Sequence, residues 1–209
     1  MVSSVKGSEL FEVYKAMGRE AHRKGNREPF SNDLEIRAFR EPIRNMLKEF
    51  RISSLLDYSY GGYNYNSPGF DGQTTARNYF ELKDVYRFVP TRDVDQRRKV
   101  DAVLSFDMLQ RMFIADLPAM VREMFSLSDR LLIVNTACYA APSTLPNGEN
   151  EHVTVRPPQW WKGLFDAVAV EFPAVSVWLI CNTSWRTPTA FEVYSAAEWL
   201  SSPTFVTTK

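Results

Sequence analysis

Five short apolar runs punctuate this chain: Ile52–Leu56, Val85–Val89, Val100–Phe106, Leu131–Asn135 and Val175–Cys181. Their length is that of strands, and the third is apolar enough to be buried on both faces. A sheet covered on both sides needs helices on both sides. The segments between and before the runs supply them. Residues 8–25 carry Leu10, Phe11, Val13, Tyr14 and Met17 at helical spacing, with Ser8 as the N-cap type. Residues 33–49 repeat the pattern, with Pro42 as the expected kink. Residues 108–127 read as a long amphipathic helix with a break or restart at Pro118, and Pro157-Pro158 opens another that runs to about Phe172. Ala190–Tyr194 reads as a sixth strand. Its connection from Cys181 contains Pro188 and no helical pattern, so the last two strands are expected to be antiparallel. Ala196 onward reads as a short helix, and the run Thr91–Lys99 as a polar surface connection.

The expected fold is therefore α/β: a doubly wound, mostly parallel Rossmann-like sheet closed by a C-terminal antiparallel pair. At 209 residues it forms one domain, 1–209, with N-terminal helices over 1–50, the sheet core over 51–195 and a tail. Right-handed crossovers then place ligand loops at the carboxyl ends of the strands.

Composition narrows the partners. The formal net charge is +0, which gives no global attraction to nucleic acid or to an anionic membrane. No apolar run approaches the roughly 20 residues of a membrane span, and Met1–Gly7 lacks a signal-peptide core, so the expected location is cytoplasmic. Cys138 and Cys181 lie in or beside apolar runs and form neither a CxxC pair nor a zinc pattern; buried free thiols are expected.

The first strand leads into Asp57-Tyr58-Ser59-Tyr60-Gly61-Gly62-Tyr63. An acidic residue closing a buried strand, followed by glycines, is how such sheets meet a nucleotide-type ligand. Further on stand Asp101-Ala102-Val103-Leu104-Ser105-Phe106-Asp107-Met108-Leu109 and Leu145-Pro146-Asn147-Gly148-Glu149-Asn150-Glu151-His152, the latter followed by Arg156-Pro157-Pro158-Gln159-Trp160-Trp161. Together with the order of elements, these stretches resemble class I S-adenosylmethionine-dependent methyltransferases, and the third resembles a block of a bacterial subgroup. The likeness covers roughly residues 30–195.

The resemblance implies S-adenosylmethionine as cofactor and methyl transfer to an oxygen of a small or saccharide acceptor. Asp57, Gly61, Gly62 and Asp107 fall at its cofactor positions. His152 falls where a base would meet the acceptor, with Asn147, Glu149, Asn150 and Trp160 around the acceptor. Three positions depart from the family pattern. The glycine positions of the first loop hold Ser59, Gly61 and Tyr63; the ribose-binding acid is matched by Val89, with Asp93 a few residues on; and the Glu-His pair after the fourth strand is Gln110-Arg111.

Each residue also has a plainer role. Asp57 and Gly61-Gly62 fit an ordinary turn, and Asp107 fits the N-cap of a helix. His152 fits a structural ring within its loop. Asn147, Glu149 and Asn150 fit Asx turns, and at least one of Trp160 and Trp161 fits the core. The tyrosines at 58, 60, 63 and 65 either fill the cofactor space or form a contact surface. Three functional classes follow: an O-methyltransferase, a non-catalytic binding or scaffold subunit on the same fold, and a binder of another nucleotide or sugar nucleotide. Homo- or hetero-oligomerisation is left open.

Overall fold

The computed structural model describes residues 4–24, 33–184, 197–202 and 205–206. The chain opens with helix α1 (Val5–Arg23). Two short helices follow, α2 (Asp33–Ala38) and α3 (Arg40–Glu49), so the second helical segment breaks at Phe39 rather than at Pro42. Strand β1 (Ser54–Tyr58) leads through a long loop with a single helical turn, α4 (Ala76–Tyr79), into β2 (Asp84–Val89). A 3-10 turn at Pro90–Arg92 and a two-residue strand β3 (Val94–Asp95) precede β4 (Val100–Phe106). After β4 comes another 3-10 turn, Leu109–Arg111, and only then α5 (Leu117–Leu127). Pro118 does sit in the first turn of α5, where its missing N–H is no loss. Strand β5 (Ser128–Ala137), helix α6 (Pro158–Ala169) and β6 (Ser176–Asn182) complete the parallel part.

Among the described residues, the sheet has eight strands in the order β3-β2-β1-β4-β5-β6-β7-β8. β2, β1, β4, β5 and β6 run parallel. β7 (Ala197–Ser202) returns antiparallel on β6, and β8 (Phe205–Val206) on β7. The fold is thus Rossmann-like α/β, with an antiparallel closure as expected. The closing strand is not helical, however, although it falls where the helical tail was read; pairing with β6 overrides local propensity. The proposed strand Ala190–Tyr194 lies outside the described residues.

Alternation along each strand sends one set of side chains to each face. Leu56, Val103, Leu132, Val134, Val177 and Leu179 pack under α1, α5 and α6. Leu55, Ala102, Leu104, Leu131, Ile133 and Ile180 pack under α2, α3 and α4. Among the described residues, no helix is long and apolar enough to cross a membrane.

One polar clamp registers the amino ends of β1 and β4. Asp101 Oδ2 accepts from the backbone N–H of Ser53 and Ser54 at 3.0 and 2.9 Å and from both hydroxyls. Burial pushes this carboxyl up, but the hydrogen bonds outweigh it and hold it at about 2. A carboxyl held below its unfolded value stabilises the fold above about pH 4, and the contribution drains away as pH falls through about 2. Asp101→Asn is expected to cost about 1 kcal/mol at neutral pH, after allowance for solvent screening. Urea denaturation at pH 7 and at pH 2.5 checks this; an equal cost at both would contradict it.

Candidate functional site

The chain leaves β1 toward β2 on one side, while β4 lies on the other. The crevice beyond their carboxyl ends is the switch point at which such sheets receive ligands. Both sequence stretches that flank it, 57–63 and 107–111, are present there.

The first loop is turned inward. Ser59, Tyr60, Gly61, Gly62 and Tyr63 are all buried. Asp57 is fully buried, and its Oδ2 accepts the backbone N–H of Tyr63 at 3.1 Å. Gly62 adopts φ +65°, and a Cβ there would lie 2.6 Å from Cγ2 of Val89. Glycine is thus required twice, for conformation and for the valine methyl against it. Tyr60 stacks on Phe11 and meets Tyr14 edge-on, both on α1, at 5.6 and 4.7 Å between ring centroids. Tyr63 packs against Tyr65 and Phe70 on the other side.

Asp93 does not fold back to replace Val89 as an acid for ribose. It takes φ +55° and pairs with Lys15 of α1 at 2.6 Å. The two line a groove of about 360 Å³ between α1 and the end of β2, with Phe11, Glu12, Phe88 and Pro90.

The second stretch forms a buried charge cluster. Asp107 is not the N-cap of a long helix. It sits at φ +56°, and its carboxylate accepts from Arg111 Nη2 at 2.9 Å and from Gln110 Nε2. Arg111 reaches on to Glu151 Oε2 with Nη1 at 3.2 Å, and the Tyr14 hydroxyl donates to the Glu151 carbonyl at 2.8 Å. Burial disfavours the guanidinium charge, but Asp107, Tyr14 and Glu151 outweigh it and Arg111 stays protonated. Gln110 is held from β5, where the Thr136 hydroxyl donates to its Oε1 at 3.2 Å.

His152 is brought beside this cluster. Its Nδ1 lies 2.7 Å from the carbonyl oxygen of Tyr139, whose ring meets the imidazole edge-on at 5.6 Å. A carbonyl only accepts, so Nδ1 carries the proton and Nε2 is the acceptor nitrogen of the neutral ring. Burial first, and then the nearby Arg111 charge, lower the pKa of His152 from 6.5. Its contribution to stability is full above about 6.5 and is lost as pH falls below that value. A proton NMR titration of the full chain is expected to place the His152 midpoint below 6.5. A midpoint above it would contradict the buried, Arg111-facing ring.

The other acceptor-loop residues are occupied with folding the loop. Asn150 bonds both backbone groups of Ala141, through Oδ1 at 2.9 Å and Nδ2 at 2.8 Å, and also accepts from His152 N at 2.9 Å. Asn147 accepts from Glu149 N and donates to Glu149 Oε2, both at 3.1 Å, at the exposed tip of the loop. Trp161 is fully buried, while Trp160 is half-buried and edge-on to it at 5.0 Å.

The carboxyl edge also carries groups that the sequence did not single out. Asn135 at the end of β5 and Asn182 at the end of β6 share one 3.4 Å hydrogen bond. Among the described residues, Asn135 Nδ2 and Asn182 Oδ1 have no partner, and neither does the fully buried Ser59 Oγ. Buried polar atoms without a protein partner are uncommon and point to water or a ligand. Asparagine next to a strand end is a weak signal on its own; only the register that makes Ala137 the partner of Asn182 brings the two amides together.

No protein-family model matches the chain, and no curated protein matches it.

Proposed function

We propose that this protein is a non-catalytic binding subunit on a methyltransferase-like fold, which receives a polar, hydroxyl-rich small molecule or saccharide at the carboxyl edge of the sheet. The observation that carries the proposal is the contact of Val89 with Gly62. It lies where the resemblance places the ribose of S-adenosylmethionine, and a valine offers that ribose no acceptor. Asp57 supports the same reading, because the loop's own Tyr63 amide already occupies its carboxylate. Tyr60 and Tyr63 are buried among the protein's own rings. These residues do not fit the cofactor. The unpartnered atoms of Ser59, Asn135 and Asn182 are the donors and acceptors that a hydroxyl-rich ligand would satisfy.

Methyl transfer is a second reading, favoured by His152 alone. Its neutral ring, with Nδ1 held by Tyr139, presents Nε2 as a proton acceptor. Calorimetric titration with S-adenosylmethionine and its demethylated product separates the two. The binding reading expects no heat beyond dilution up to millimolar ligand, and a thermal-shift panel of sugars and sugar nucleotides to contain a stabilising ligand. Micromolar binding of S-adenosylmethionine would overturn it in favour of the second.

A further inference from the structure

Cys138 and Cys181 are the chain's two cysteines, and both are free thiols. Cys181 is on β6 and is paired in register with Thr136 of β5. Cys138 stands two residues beyond Thr136, so alternation points both side chains to the same face. The backbone N–H of Cys138 donates to the carbonyl of Asn182 at 2.7 Å, the ladder bond of the Ala137–Asn182 pair, which holds Cys138 beside β6. Cys138 packs against the core cluster that contains Cys181. One is fully buried and the other partly exposed.

We propose that Cys138 and Cys181 form a reversible dithiol–disulfide site, oxidised by low-molecular-weight disulfides, whose state is transmitted to His152. The Cys138 thiolate attacks one sulfur of the small disulfide, forming a mixed disulfide and releasing one small thiolate. Cys181 then gives up its proton and attacks the Cys138 sulfur. The protein disulfide forms, and the second small thiol leaves with that proton. The protein loses two electrons and two protons; the small disulfide gains them as two thiols. The roles follow from position. Cys138 is the thiol a solute reaches, and the neighbouring Cys181 thiol lowers its pKa, which favours the attacking thiolate. The same proximity and burial raise Cys181, the buried resolving thiol. The output is Tyr139, which follows Cys138 directly and holds the imidazole of His152 through its carbonyl. Drawing the Cys138 sulfur onto β6 shifts that carbonyl. The inference does not depend on which ligand the sheet edge binds.

The test treats the full chain with oxidised glutathione. It reads free thiols after denaturation, the intact mass and the His152 ring resonances. The proposal expects both thiols lost, a mass lower by two hydrogens with no retained glutathione, and a displaced His152 titration, all reversed by dithiothreitol. Cys181→Ser is expected to stop at a stable glutathione adduct on Cys138, and Cys138→Ser to leave Cys181 unreacted in the folded protein. A lasting glutathione adduct on the unsubstituted chain, two unreacted thiols, or a protein disulfide with an unmoved His152 would each overturn it.

Discussion

Arg111→Ala is expected to cost about 3–5 kcal/mol, because it strands the buried carboxylate of Glu151 and the partly buried one of Asp107. The Arg111 side chain is 7% exposed, and Asp107 and Glu151, its partners, are 15% and 10% exposed. The loss is not that of one attraction in water. Without the guanidinium, Asp107 and Glu151 lose the partner they share in a largely desolvated site, while Gln110 remains on Asp107. Urea denaturation at pH 7 measures the cost. Arg111→Met combined with Asp107→Asn and Glu151→Gln is expected to be less destabilised than Arg111→Ala, since it buries no unpaired charge. A cost under about 1 kcal/mol for Arg111→Ala would mean that the cluster is solvated.

The second large effect belongs to Gly62→Ala, expected at about 2–4 kcal/mol from a left-handed backbone and an overpacked site together. The new methyl would meet Val89 Cγ2 at 2.6 Å at φ +65°. The two causes separate in a double-mutant cycle. Val89→Ala removes the steric part only, so the pair Gly62→Ala and Val89→Ala is expected to fall short of the sum of the single costs by about 1 kcal/mol or more. Additivity would mean that Val89 does not press on the loop.

Much of the architecture was readable from apolar runs, because strands buried on both faces cannot be anything but hydrophobic. Val100–Phe106 was placed to the residue. What escaped were elements too short to show a period. The β3 pair and the single turn α4 have none to show. The stretch before the restart at Pro118 looked helical because the 3-10 turn at Leu109 buries its residues as a helix face does, and the Ile114–Asp116 interruption carries no glycine or proline. Ala196 to Leu200 has helix-forming residues, and only the neighbouring β6 makes Ala197–Ser202 extended.

The candidate site divides in the same way. Ser59, Tyr63 and Val89 stood out against the family pattern because a missing glycine or acid is visible in a string of letters. Gln110-Arg111 was visible as a replacement, but its meaning was not. The ion pair from Arg111 to Glu151 joins residues 40 apart, and the Tyr14 contact joins a helix to a loop 137 residues away. Both depend on docking that no local pattern encodes. Asn150 was read as either a substrate contact or a loop former, and its bonds to Ala141 show the loop-forming part.

Under the proposed function, the protein's own groups occupy the place beside Asp57 where the resemblance puts S-adenosylmethionine. The most direct measurement follows the backbone amides of Gly61, Gly62 and Tyr63 by heteronuclear NMR while S-adenosylmethionine is raised to millimolar concentration. The account predicts that these three amides stay where they are, with the Tyr63 N–H still held by Asp57. Saturable displacement of all three, with the Tyr63 amide released from Asp57, would contradict it.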